Sequence, residues 1–137
     1  MIKLYDAFKA IFDKINTLPY NVYDEVPIGA VNPHIRIDYS SELENGGKNY
    51  DSKIYYQYIH VFSTYKGRKE VLQITDDVLK ALSDEIETDT FVMYPQLERN
   101  EITTVSDNRG GEIIGIHVDE TYRHSLIVMK YTICEKK

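Results

Sequence analysis

The sequence predicts an α+β fold, a mainly antiparallel β-sheet with two amphipathic helices packed on one face. Three observations lead there. In Lys69–Leu82 the apolar residues Val71, Ile74, Val78 and Leu82 recur at helical spacing, with Leu72, Leu79 and Ala81 beside them. Just before it, Lys53–Tyr65 is a long β-branched and aromatic run, separated from the helix only by Lys66-Gly67-Arg68. The order helix, strands, helix, strands along the chain describes a sheet with helices to cover it, not alternating parallel units. The 137 residues suffice for one domain with a real core, and a single domain over 1–137 is expected.

The first helix is expected over Ile2–Leu18. Leu4, Phe8, Ile11, Phe12 and Ile15 fall on one side, with Lys3, Asp6, Lys9, Asp13 and Lys14 mostly on the other. Leu18-Pro19 ends it, because proline disfavours helical dihedrals in the residue before it. Asn21–Val26 reads as short and extended, and Pro27–Pro33, with Gly29 between, as a turn-rich connection. In His34–Tyr39 the residues Ile35, Ile37 and Tyr39 alternate with His34, Arg36 and Asp38, the pattern of a strand with one dry and one wet face.

Glu42–Ser52 is polar and carries Asn45-Gly46-Gly47, a hairpin signal, so a projecting β-hairpin is expected between the second and the long strand. A glycine loop that cradles phosphate follows a strand and opens a helix, whereas here a strand follows. The long strand has no clean polar face: Tyr55, Gln57, Ile59 and Val61 alternate with Tyr56, Tyr58, His60 and Phe62. A central strand is expected, with the first set under the helices and the tyrosine-rich set partly covered by a neighbour. Beyond the second helix come a polar stretch, Ser83–Asp89, and a short strand, Phe91–Tyr94 with Gln96–Arg99, interrupted at Pro95, where a proline implies an edge or a bulge. Further strands are expected over Ile102–Val105, Ile113–Val118 and Tyr122–Cys134, with Ile127, Met129, Tyr131 and Ile133 on the apolar face of the last.

Composition narrows the function classes. Hydrophobic residues make up 42% and charged residues 28%, values of an ordinary globular protein. No apolar run approaches a bilayer span, and no signal-peptide pattern opens the chain, so neither membrane insertion nor secretion is expected. A net charge of −6 argues against a protein that coats phosphate backbones. One cysteine, Cys134, excludes a disulfide framework and a cysteine-rich metal site. The 12 tyrosines and the absence of tryptophan suit half-buried sheet faces and subunit interfaces as well as plain strand propensity.

Nothing in the pattern gathers catalytic groups. His34, His60, His117 and His124 lie on expected strands or their ends, and no HExxH pair or Cys/His cluster occurs. Asp76 and Asp77 diverge by about 100° on a helix, so they and Asp84, Glu85 and Glu87 read as a solvated face. Ser40, Ser41, Ser63 and Ser125 lack a nucleophile elbow, and Ser125 and His124, adjacent on a strand, face opposite ways. Lys66, Arg68 and Lys69 form the most basic spot, at the start of a helix.

Three stretches carry a family likeness: VYDEVPIGAVNPHIRI (Val22–Ile37), IHVFSTYKGRKEV (Ile59–Val71) and YRHSLIVMKYTI (Tyr122–Ile133). Together they resemble the tail completion, or tail terminator, proteins of long-tailed bacteriophages and their prophages. The shared features are a VYD-x-VP segment, a proline ahead of the second strand, an aromatic-Ser strand end before a Gly-containing turn and helix, and an Arg-His pair opening the last strand. Phe62 stands where many relatives carry tryptophan, and Ile86–Glu112 matches none of these motifs.

The resemblance implies a structural virion protein without catalysis or cofactor. It implies a homo-oligomer, a hexameric ring on assembly from subunits that can stay monomeric in solution, seated on the head-proximal end of the tail tube. There the ring stops tube polymerisation and joins the tail to the head connector, after assembly in the host cytoplasm. Its implied partners are the tail tube and head-tail connector proteins, with no membrane, and DNA only as it passes through the ring. Tyr56, Tyr58, His60 and Phe62 are the expected subunit interface. Glu44, Asn45, Gly46, Gly47 and Lys48, with Arg109, Gly110 and Gly111, are the expected partner-contact loops. Two other readings stay open at this point: a small cytoplasmic enzyme or ligand-binding domain with a site built from His60, His117 and nearby carboxylates, and a nucleic-acid-associated protein using Lys66, Arg68 and Lys69.

Overall fold

The computed structural model describes residues 2–44, 52–64, 67–106, 112–113, 116–117 and 121–136. Along the chain run α1 (Leu4–Ile15), β1 (Asn21–Tyr23), β2 (His34–Glu44), β3 (Ser52–Ser63), α2 (Lys69–Ala81), β4 (Ile86–Glu87), β5 (Phe91–Ser106), β6 (Glu112–Ile113), β7 (Ile116–His117) and β8 (Thr121–Glu135). Six strands form one sheet in the order β1-β2-β3-β8-β5-β4. Only β1 and β2 pair in parallel; every other pair in that sheet is antiparallel. The fold is α+β.

Both helices cover the same face. Ala7, Ile11 and Ile15, one helical turn apart, are fully buried on α1, and Val71, Ile74, Thr75 and Val78 are buried on α2. Beneath them lie Ile35 and Ile37 of β2, Tyr55, Ile59 and Val61 of β3, Met93 of β5, and Ile127, Met129, Tyr131 and Ile133 of β8. Each fully buried isoleucine contributes about 1.5–3 kcal/mol. Thr75 keeps its hydroxyl satisfied inside this layer by donating to the Val71 carbonyl at 2.7 Å. Lys69–Ala81 starts after Gly67, whose φ of +83° takes the left-handed turn out of β3.

β3 is central, between β2 and β8, and its inward residues are Tyr55, Gln57, Ile59 and Val61. Tyr56, Tyr58, His60 and Phe62 therefore face away from the helices. The pairing of β2 with β3 continues to Glu44 opposite Lys53, so the strands extend into the polar segment that joins them. Between Ile37 and Ser40 the register shifts: Asp38 and Tyr39 together oppose Tyr58. Asp38 shares the helix-free side with His34 and Arg36 by alternation, and the bulge moves β2 by one residue relative to the pleat beyond it, so that Ser40 stands opposite the inward Gln57. The β1–β2 connection is shaped by a turn in which Ala30 N–H donates to the Pro27 carbonyl at 3.2 Å while Gly29 adopts φ +79°.

Two expectations about the strands need correction. β5 is one strand across Pro95, not a short strand broken there and a second one over Ile102–Val105. The Phe91 carbonyl accepts from Thr88 N–H, and the Thr90 carbonyl from Lys136 N–H, so odd-numbered residues at this end of β5 aim their backbone groups away from β8. Pro95 thus lacks its N–H on the side where β4, paired only with Val92 and Met93, has already ended. A bulge between Leu97 and Arg99 follows. The second correction concerns Ile113–Val118, which is not one strand: Glu112–Ile113 pairs back on Ile116–His117 as a separate two-stranded unit. The polar stretch after α2 also holds the short strand β4, anchored by the buried Ile86.

Candidate functional site

The face of the sheet turned away from the helices has its own chemistry. On β2, His34 and Arg36 stand opposite Phe62 and His60 of β3, and on β8 His124 stands opposite Phe62 from the other side. Phe62 and Val128 are nearly inaccessible, at 1% and 5%, yet neither belongs to the core beneath the helices. Among the described residues no helix lies over them; side chains of the sheet do. The Phe62 ring has its centroid 5.0 Å from that of His34 and 4.9 Å from that of His124, and Tyr23 closes on His34 at 5.8 Å. The result is a second, small aromatic core on the outer face.

A hydrogen-bonded chain runs along its edge. The Arg36 guanidinium donates to Asp38 Oδ1 at 2.8 Å, Asp38 Oδ2 lies 3.0 Å from His60 Nε2, and His60 Nδ1 lies 2.6 Å from His124 Nε2. Arg36 is the cross-strand partner of His60, and Asp38, two residues further along β2 on the same face, reaches both of them. Burial lowers the proton affinity of all three histidines. His34 falls to about 4, the loss of hydration being only partly offset by the Val31 carbonyl, and neither of its ring nitrogens makes a hydrogen bond of good geometry. His124 falls to about 4 through burial and then the neighbouring His60 charge. His60 is lowered by burial, against the opposing pull of the Asp38 carboxylate.

A carboxylate that orients an imidazole is half of a nucleophile-activating set, but here the second imidazole nitrogen meets another imidazole and not a hydroxyl or thiol. The nitrogens are also too close to bracket a metal: two bonds of about 2.0–2.1 Å at a tetrahedral angle hold them near 3.3 Å. Among the described residues no group of three or more His, Cys, Asp or Glu side chains could hold a metal ion, and no helix is long and apolar enough to cross a membrane.

The residues singled out in the sequence are distributed as follows. Tyr56, Tyr58 and His60 are half-buried on the outer face, and Phe62 is buried between the His34 and His124 rings. Glu44 ends β2, while Asn45, Gly46, Gly47, Lys48, Arg109, Gly110 and Gly111 lie outside the described residues. His117 sits on β7, in the two-stranded unit; the histidine that reaches His60 is His124. Arg68 and Lys69 are exposed at the start of α2, and Lys66 lies outside the described residues. Asp77 accepts from the Tyr20 hydroxyl at 2.5 Å, tying the chain after α1 to α2 and pushing that hydroxyl up to about 12. The sequence places Asp38 on a wet strand face and His124 among lone strand histidines, and their partnership with His60 is missed because it depends on strand order.

Comparisons with known proteins agree with the sequence likeness. The family model described as tail completion protein gp17 matches residues 3–114. A chain of a solved structure, the virion of a native gene transfer agent particle, shares the fold with a TM-score of 0.67 over 94% of both chains at 14% identity. No curated protein matches the sequence. With the family match spanning most of its length, the chain belongs to the tail completion protein gp17 family and is a structural protein of a phage tail.

Proposed function

We propose that the protein is a tail terminator: it assembles as a homo-oligomeric ring, a hexamer, on the head-proximal end of the tail tube, stops polymerisation of the tube and joins it to the head connector. The family supports the tail role. The observation that carries the finer reading is the helix-free sheet face, where Tyr56 and Tyr58 stand half-buried beside a closed aromatic core that the domain's helices do not need. A face of rigid, preassembled aromatic side chains with hydroxyl handles is what a subunit interface requires, since little side-chain freedom is lost when a neighbour docks.

On this reading Tyr56, Tyr58 and His60 meet the adjacent subunit, and Phe62 supports them from below. The segments Glu44–Lys48 and Arg109–Gly111 contact the tail tube and connector proteins, and nucleic acid enters only as DNA passing through the ring. Contact between identical subunits through unlike surfaces closes a ring when the rotation permits. Assembly takes place in the host cytoplasm and the protein ends in the virion. Electron microscopy of particles made without this protein tests the role: overlong or headless tails are expected, and normal virions would exclude it.

A further inference from the structure

The His60–His124 contact has an unusual geometry. The ring planes lie within 12° of each other and the centroids are 4.8 Å apart, of which the facing nitrogens take 2.6 Å. The rings are thus edge to edge in nearly one plane, joined by an in-line N–H···N bond and not stacked face on face. The proton positions follow from the rest of the chain. Asp38, held by Arg36 at 2.8 Å, is an acceptor, so His60 carries its hydrogen on Nε2. His60 Nδ1 then holds a lone pair, and His124 Nε2 must be the donor.

We propose that His60 and His124 form a single-proton latch on the helix-free face, closed over Phe62 while one hydrogen is shared between the facing nitrogens and opened when both imidazoles are charged. With one net charge the N–H···N bond survives. With two, a hydrogen stands on each facing nitrogen, no acceptor remains between them, and the rings must part. Phe62, now 1% accessible and flanked by His34 and His124 on the neighbouring strands, loses the His124 contact in that movement and gains exposure.

Charged and titratable groups surround the pair. β2 supplies His34, Arg36 and Asp38; β1 supplies Tyr23, against His34; β3 itself adds Tyr58; and on β5 the Arg99–Glu101 ion pair, 2.7 Å, stands opposite Val128 and Leu126. At His60 burial is the largest influence and lowers its proton affinity, Asp38 opposes that through its charge and its hydrogen bond, and Arg36 adds a smaller lowering. The latch deepens the terminator reading in one respect only: if this face binds the next subunit, its opening lowers assembly.

Imidazole nitrogen NMR of the isolated chain tests the latch without any assembly. At pH 7.5 both His60 and His124 are expected as Nε2–H tautomers. On acidification they should take up protons in two separated, coupled steps, the lower one accompanied by binding of a hydrophobic dye as Phe62 is uncovered. In His124→Gln the amide still donates to His60 but cannot titrate, so the dye-binding step should disappear. An Nδ1–H tautomer at His60, or two imidazoles titrating independently near the ordinary histidine value, would overturn the proposal. Tyr56→Asp separates the two ideas. If it leaves assembly at pH 7.5 untouched while the coupled titration holds, the interface fails and the latch stands; if it blocks assembly while the imidazoles titrate independently, the reverse is true.

Discussion

At the scale of single residues, the buried polar groups decide the most informative substitutions. The Tyr131 hydroxyl is buried in the core without a hydrogen-bond partner, and burial raises its pKa. Removing an unsatisfied hydroxyl relieves a desolvation cost, so Tyr131→Phe is expected to leave stability unchanged or raise it by about 1 kcal/mol in chemical denaturation. A loss of more than that would mean the hydroxyl has a partner. The histidines set a pH dependence of defined sign. His34 and His124 take protons near pH 4 when folded and near 6.5 when unfolded, so between those values the unfolded chain binds more protons. Stability should be full above pH 6.5 and fall steadily towards pH 4 in thermal melts, with a shallower fall in His34→Gln. A melting temperature that rises on acidification would contradict this account. None of this was legible in the sequence, where His34, His60 and His124 are far apart and only the order and register of β2, β3 and β8 bring them together.

At the scale of elements, periodicity was a good guide wherever one face is apolar throughout. α1, α2 and the inward face of β8 follow directly from spacing, because burial against a single layer leaves a regular trace in the sequence, whereas β3, with Gln57 buried inward and Phe62 buried outward, leaves an ambiguous one. Ile11 is fully buried at the centre of the α1 stripe, so Ile11→Ala is expected to cost about 2–5 kcal/mol, measured by denaturant unfolding. Pro95 misled only in part, since it marks an open edge with a bulge close by, as expected, but not a break in the strand. Pro95 looks like an interruption, yet its missing N–H points to the edge that β4 leaves open, and the strand continues. Pro95→Ala should therefore change stability by no more than about 0.5 kcal/mol, while Tyr94→Pro, which removes a backbone N–H facing β8, should cost about 3 kcal/mol or more. Equal effects of the two would show that the edge assignment is mistaken. The pair β6–β7 escaped notice for a different reason: two-residue strands carry too little pattern to register.

At the scale of the whole molecule, an asymmetry between the two sheet faces is the main result. One face is closed by α1 and α2 over an aliphatic core; the other is closed by its own aromatic and histidine side chains and carries the tyrosines outward. A sheet of this kind needs no second helical layer to be stable, which leaves a large ordered surface for assembly. The family places the chain in a phage tail, and this surface is the one on which the proposed association of identical subunits rests. The most direct test of that claim is electron microscopy of particles assembled in cells whose only copy carries Tyr58→Asp, alongside circular dichroism of the isolated variant. The account predicts a folded protein with overlong or headless tails, because a carboxylate on this face repels the next subunit without disturbing the core. A folded variant that yields normal virions would contradict it.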